Sequence, residues 1–201
     1  MNTLSREVPI DPAHAALLII DVQNYCIAAK ASKSEYFGDS LRDTVLPNIR
    51  RLQTACRRGG IEVVYSVIEN ITRDGRDRSL DYKISGIDVP RGSWDAHVVN
   101  EIAPLEDEII FHKTSSSVFI STNIDYVLRN LGVRSLIVAG IMTDQCVESA
   151  VRDACDLGYL VTLVTDACTT DSADRHEQSL ISVRGYCRQR RTDALVAETT
   201  G

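Results

Sequence analysis

The sequence predicts an α/β fold, a mostly parallel sheet flanked by helices on both faces. Three observations carry that prediction. Short, continuous apolar runs such as Ala15-Ala16-Leu17-Leu18-Ile19-Ile20 suit strands covered on both sides. Single helical patterns separate these runs along the chain, which implies right-handed crossovers between parallel strands. At 201 residues the chain fits one domain over 1–201, long enough to bury roughly 70% of its unfolded surface without disulfide or metal support.

The first strand is Ala15 to Ile20. Ser40 reads as the cap of a helix carrying Leu41, Val45, Ile49, Leu52 and Ala55, closed by Gly59-Gly60. Ile61 to Ile68 is the second strand. The polar stretch 69–107, with Gly75, Gly86, Pro90 and Gly92, is too long for a simple connection and is expected to carry function or an interface. Glu108 to Phe111 makes a brief strand, and Thr122 caps a helix ending at Gly132. Ser135 to Ala139 is the next strand. Gly140 to Thr143 turns into a helix from Asp144 to Leu157, whose Val147, Ala150, Val151 and Ala154 share one face. Tyr159 to Val164 follows as a strand, then a helix from Arg175 to Gln189 and a short strand at Ala194 to Ala197.

Composition narrows the function classes. The apolar share of 44% and charged share of 25% are ordinary for a globular protein. A net charge of −6 argues against a nucleic-acid partner. Arg188, Arg190 and Arg191 read as solvated charge at a helix end beside Asp193. No apolar run approaches ~18 residues, so no membrane partner is expected. The N-terminal MNTLSREVPIDPAHA has no signal-peptide core, which points to a cytoplasmic protein. Six cysteines, at 26, 56, 146, 155, 168 and 187, show neither C-x-x-C pairing nor zinc-ligand spacing. Six free thiols are expected, with no metal and no cofactor.

In open parallel sheets, ligands bind beyond the carboxyl ends of the strands. Three reactive side chains stand there. Asp21 directly follows Ile20, Lys113 follows the strand ending at Phe111, and Cys146 opens the helix after Ala139. With Thr143 as N-cap, Cys146 takes the third helical position, where free N–H groups and the helix dipole can lower a thiol pKa and hold an oxyanion. Each residue also has an ordinary reading: a small buried thiol, a turn-capping Asp, an ion-pair lysine. Together they make a nucleophile, a proton acceptor and a cation that steadies both. None of His14, His97, His112 or His176 claims the role of base, and His112 should point away from its neighbour Lys113.

The chain resembles the isochorismatase-like cysteine hydrolases over nearly its whole length. The resemblance rests on LLIIDVQNYC at 17–26, HKTSSSVF at 112–119 and VAGIMTDQCVESAVRDACDLGY at 138–159. It implies a three-layer Rossmann-like fold and a catalytic triad of Asp21, Lys113 and Cys146. It also implies a cis peptide at Ile141–Met142, with the backbone N–H groups of Met142 and Cys146 facing an oxyanion. True isochorismatases resemble this chain but lack the nucleophilic cysteine. Nicotinamidases carry an Asp-x-His metal site where this chain reads VIENITRDGRDRS. The implied branch is metal-free and acts on ureides and small amides, as ureidoacrylate, biuret and N-carbamoyl amino acid hydrolases do. Members are usually homodimers or homotetramers, and the same is expected here. Hydrolysis of another bond type, or a scaffold that keeps the fold without catalysis, are the alternatives.

For substrate contact the candidates are Gln23 and Asn24 beside the base, Glu69 and Asn70 after the second strand, and Arg73, Arg76 and Tyr82 in the long stretch, where Arg suits a substrate carboxylate. The alternative for the arginines is pairing with Asp74 and Asp77. Trp94 reads as a pocket wall or a subunit contact. Tyr25-Cys26 replaces the family's more usual acidic-aromatic pair and leaves the pocket wall open.

Overall fold

A computed structural model describes residues 4–31 and 34–200. Met1 to Thr3, the start of the segment searched for a signal peptide, lie outside the described residues. The elements run β1 (Ala15–Ile20), α1 (Asn24–Ala31), α2 (Glu35–Ser40), α3 (Leu46–Arg58), β2 (Glu62–Ile68), α4 (Leu80–Ile84), β3 (Ile109–Lys113), α5 (Val118–Ser121), α6 (Ile124–Asn130), β4 (Ser135–Ile141), α7 (Glu148–Asp156), β5 (Leu160–Thr169), α8 (Ala173–Val183), β6 (Arg188–Arg190) and α9 (Thr192–Thr200). The six strands are all parallel, in the order β3-β2-β1-β4-β5-β6. The chain winds outward from β1 in both directions, so its switch point lies between β1 and β4, where a crevice opens at the strands' carboxyl ends.

All six residues of β1 are buried because the strand is covered twice. Its odd positions, Ala15, Leu17 and Ile19, pack with Ile49 and Leu52 of α3 and Leu195 of α9. Its even positions, Ala16, Leu18 and Ile20, pack with Val147, Ala150, Val151 and Ala154 from the region of α7 and with Leu180 and Val183 of α8. Side-chain alternation along one strand thus feeds two cores and yields three layers. A small third cluster of Ile68, Tyr82, Val89 and Ala96 gives the 69–107 stretch a core of its own. Among the described residues, no helix is long and apolar enough to cross a membrane.

Several boundaries differ from the sequence reading. Ser40 sits in mid-helix with helical angles and makes no capping bond. Ser34 caps instead, accepting from the Phe37 N–H at 3.1 Å, and a wider turn over Leu41–Val45 carries α2 into α3 without a break. Lys113 is the last residue of β3, paired with Ile68, and does not lie beyond the strand. The helix expected to reach Gln189 stops at Val183, and Arg188–Arg190 form the edge strand β6. Arg188 is buried, donating to Thr162 Oγ1 at 2.9 Å and pairing with Glu198 at 3.1 Å, so it is not solvated helix-end charge. Finally, Ala194–Ala197 are helical. Asp166, 26 residues upstream of Thr192, accepts from both the N–H and the hydroxyl of Thr192 at 2.8 Å and so starts α9. No local pattern announces a cap supplied from so far away.

Gly140 sets how closely β1 and β4 approach. It has φ +127° and pairs with Ile20 at a register shift in β4, and a Cβ there would lie 2.2 Å from the Ile20 carbonyl oxygen. Only glycine avoids that backbone clash. Gly140→Ala is expected to destabilise the protein by about 3 kcal/mol in denaturant titration; a stability equal to wild type would show that the two strands can part without cost.

Candidate active site

Three strand ends deliver the reactive groups to the switch point. Asp21 follows β1 in a left-handed conformation, φ +54°, held by its N–H donating to the Ser66 carbonyl at 2.9 Å and its carbonyl accepting from Gln23 at 2.8 Å. This turn aims the carboxylate back at the sheet. Asp21 Oδ1 accepts from Ser66 Oγ at 2.9 Å. Oδ2 lies 2.9 Å from Lys113 Nζ yet has no aligned hydrogen-bond donor. Lys113 is fully buried. Its ammonium donates to Tyr82 Oη at 2.9 Å and to the carbonyls of Ser115 and Ser116 at 2.8 and 3.0 Å, and lies 3.4 Å from Cys146 Sγ. The Tyr82 hydroxyl is 3.9 Å from the same sulfur.

The electrostatics follow from burial. Burial opposes the Lys113 charge, but Asp21, Cys146 and Tyr82 outweigh it and hold the ammonium well above its ordinary pKa. For Cys146, burial dominates and pushes the thiol up to about 12. Lys113 pulls it down, while Asp21 pushes it further up. The lowered thiol pKa expected of a helix N-terminus is therefore not found. The local fold differs too: Thr143–Val147 form a wide π-type turn, and α7 begins only at Glu148. Thr143 is no N-cap; its hydroxyl bonds to His176 Nδ1 at 2.9 Å. The N–H groups on either side of Cys146, from Gln145 and Val147, both donate to the Met142 carbonyl, at 3.1 and 3.2 Å. The Ile141–Met142 peptide is cis.

Asp21, Tyr82 and Cys146 border a cavity of about 500 Å³, within the range of small-molecule sites. Ile68, Ile141 and Met142 supply apolar wall, α1 supplies Tyr25 and Cys26, and the long stretch supplies Asp81, Tyr82, Ser85 and Ile87. Ser116 and Gln145 add neutral polar groups. A larger hollow of about 650 Å³ runs beside α3 past Arg50, Arg58 and Val196, but holds no thiol, and the strand ends do not reach it. Among the described residues, no group of three or more His, Cys, Asp or Glu is arranged to hold a metal ion.

Of the seven expected substrate contacts, only Tyr82 lines the cavity. Gln23 is buried and spent on backbone: its Nε2 donates to the Ile68 and Asp95 carbonyls at 2.9 Å, and its Oε1 accepts from the Ile68 N–H at 2.6 Å. Asn24 donates to the Trp94 carbonyl at 2.9 Å. Glu69 pairs with His112, which is exposed on the side away from Lys113, and accepts from the Gly92 N–H at 2.6 Å. Asn70 donates to Asp88 at 2.6 Å. Arg76 pairs with Asp74 at 2.9 Å, and Arg73 is not part of the cavity wall. Trp94 is exposed and also lies outside that wall. Sequence reading missed Asp81, Ser85, Ser116 and Gln145. Asp81 and Ser85 flank Tyr82 on the turn of α4, so their spacing held a usable signal.

A six-stranded parallel sheet with a buried Asp-Lys-Cys cluster at its switch point defines a doubly wound, three-layer α/β architecture with a thiol site. The isochorismatase domain model matches residues 15–193. The chain belongs to the isochorismatase family. It is 33% identical over 181 residues to the ureidoacrylate amidohydrolase RutB of Caulobacter segnis, covering 80% of this chain and 74% of the relative. Its fold superposes on a cysteine hydrolase from Pseudomonas syringae with a TM-score of 0.84 at 25% identity, over 99% of this chain and 98% of that one. N-carbamoylsarcosine amidase from Thermoplasma acidophilum shares the fold at a TM-score of 0.74 and 24% identity, over 90% and 97% of the two chains.

The thiol's raised pKa has a testable sign. Alkylation of Cys146 by iodoacetamide should be slow at neutral pH and accelerate toward pH 12. Asp21→Asn removes a charge that raises the thiol, so its midpoint should fall. Lys113→Met removes the opposing charge, so its midpoint should rise. Identical profiles in all three proteins would mean that the side chains are not electrostatically coupled.

Proposed function

We propose that this protein is a cysteine-dependent hydrolase of small amides or ureides, cleaving a C–N bond other than a peptide bond and releasing ammonia or an amine. One observation carries the reading: a thiol and a carboxylate with an oxygen lacking an aligned donor border one cavity of about 500 Å³, with a buried cation 3.4 Å from the sulfur behind its wall. The likeness to a ureidoacrylate amidohydrolase supports it.

In the proposed mechanism Asp21 is the base, Cys146 the nucleophile and Lys113 the electrostatic support. The thiol stays protonated at rest, with a pKa near 12, so proton loss and attack are coupled. Asp21 takes the Sγ proton as sulfur bonds to the carbonyl carbon, and the oxyanion is received by the backbone N–H groups of Met142 and Cys146. The protonated Asp21 returns its proton to the departing nitrogen as the C–N bond breaks, leaving a thioester or, from a ureide, a thiocarbamate. Asp21 next takes a proton from water, whose oxygen attacks the same carbon. The C–S bond breaks, Cys146 regains its proton and the acid leaves. Throughout, Lys113 balances whichever of Asp21 and Cys146 is negative.

The reading extends to a cytoplasmic homodimer or homotetramer. Six cysteines outside any disulfide suit a reducing compartment. Leu80, Ile84, Trp94 and Ile120 leave large apolar side chains exposed, as subunit contacts would.

The direct test is ammonia release from ureidoacrylate, biuret, N-carbamoyl amino acids, maleamate and nicotinamide. At least one should be hydrolysed. Cys146→Ala should lose at least about 10⁴-fold in kcat and Asp21→Asn about 10²- to 10⁴-fold. Turnover that survives in Cys146→Ala would exclude the thiol mechanism.

A further inference from the structure

The cavity's charge is lopsided. Among the described residues of its wall, the charged side chains are Asp21 and Asp81. Asp21 is balanced by Lys113, and the Lys113 ammonium is already committed to Asp21, Tyr82 and two backbone carbonyls. It has no proton left for a substrate's far end. None of the other cations of the long stretch, Arg73, Arg76, Arg78, Lys83 and Arg91, lines the cavity. Arg76 is paired with Asp74. Arg78 donates to the Gly75 and Ile87 carbonyls at 2.9 and 2.8 Å, and Lys83 donates to the Arg76 carbonyl at 2.8 Å. Asp81, exposed on α4, has no ion-pair partner among the described residues. From α1 the wall receives Tyr25 and Cys26, neither of them a cation.

We propose that the substrate of this cavity is a small amide or ureide whose far end is neutral or cationic, and that Asp81 is the residue that discriminates against a carboxylate there. The proposal rests on the reading of Cys146 as nucleophile. Ureidoacrylate, named for the relative, carries a carboxylate, and this cavity offers that group an uncompensated aspartate where it would need a guanidinium. A neutral amide or hydroxyl end meets Gln145, Ser85 and Ser116, which can donate or accept. A cationic end would pair with Asp81 directly.

Three ureides of similar length separate these cases: N-carbamoylglycine, its carboxamide and (2-aminoethyl)urea, with anionic, neutral and cationic ends. The expected result is a kcat/KM at least about tenfold higher for the carboxamide and the amine than for the carboxylate, expressed in KM. Asp81→Asn should narrow the gap, and Asp81→Arg should reverse it by favouring N-carbamoylglycine. If N-carbamoylglycine is turned over as well as its carboxamide and neither Asp81 variant changes the order, the charge selection is overturned while the hydrolase reading stands. If folded wild-type protein releases ammonia from none of the three, the ureide reading itself fails, and the selection with it.

Discussion

The structure is organised around one buried ion pair. Lys113 and Asp21 face each other at 2.9 Å with essentially no solvent contact. Desolvating an ammonium and a carboxylate costs several kcal/mol per ion, so such a pair persists only where geometry and further hydrogen bonds offset that cost. Here the offset is assembled from three parts of the chain. Ser66 of β2 donates to Asp21. The turn after β3 brings back the Ser115 and Ser116 carbonyls, and α4 brings the Tyr82 hydroxyl. The β2–β3 register, Ile68 opposite Lys113, sets the lysine at the depth where these partners meet. Moving any one of them would strand a charge.

That constraint explains the shape of the long 69–107 stretch. It could have been a loose lid, yet it carries its own buried cluster around Tyr82 and Val89 and is tied to the sheet by the Ser79 N–H donating to the Thr114 carbonyl at 2.9 Å. Tyr82 belongs to both the cluster and the lysine's hydrogen-bond set. Packing in the stretch and charge balance in the site are therefore one problem, solved by one side chain. Asp81 and Ser85 share α4 or its end with Tyr82 but are exposed, free of either duty. A rigid, chemically constrained floor and a rim open to variation follow from the same short helix.

Much of this was legible in the sequence. The apolar run before Asp21 marks a central strand because both cores need it, and the strand-end rule brings Asp21, Lys113 and Cys146 together without knowledge of their contacts. What escaped were features set by distant partners. Asp166 starts α9 from across the sheet, converting an apparent strand into a helix. Gln23 and Asn24 look like binding groups because they are polar and next to the base, but backbone carbonyls from residues 68, 94 and 95 consume them. Of the two arginines expected to clasp a substrate, Arg76 pairs with Asp74 and neither lines the cavity. Chain-local polarity says that a group needs a partner; only the fold says which partner it has.

The thiol shows the sharpest contrast between local and global physics. A helix-start position argues for a stabilised thiolate, but the helix dipole is worth at most a kcal/mol or two and acts within the first turn. Cys146 lies in a π-type turn ahead of α7 and is nearly fully buried, and burial, the larger effect, keeps its proton on. In this dry setting, the Lys113 charge acts on sulfur through a low effective dielectric, where its influence is several times that in water. A thiol held neutral beside a carboxylate and a cation is poised to ionise when a substrate carbonyl can accept the electron pair. The same dryness that raises the resting pKa therefore strengthens the interaction that stabilises the developing negative charge, and both trace to the buried pair at the switch point of the sheet.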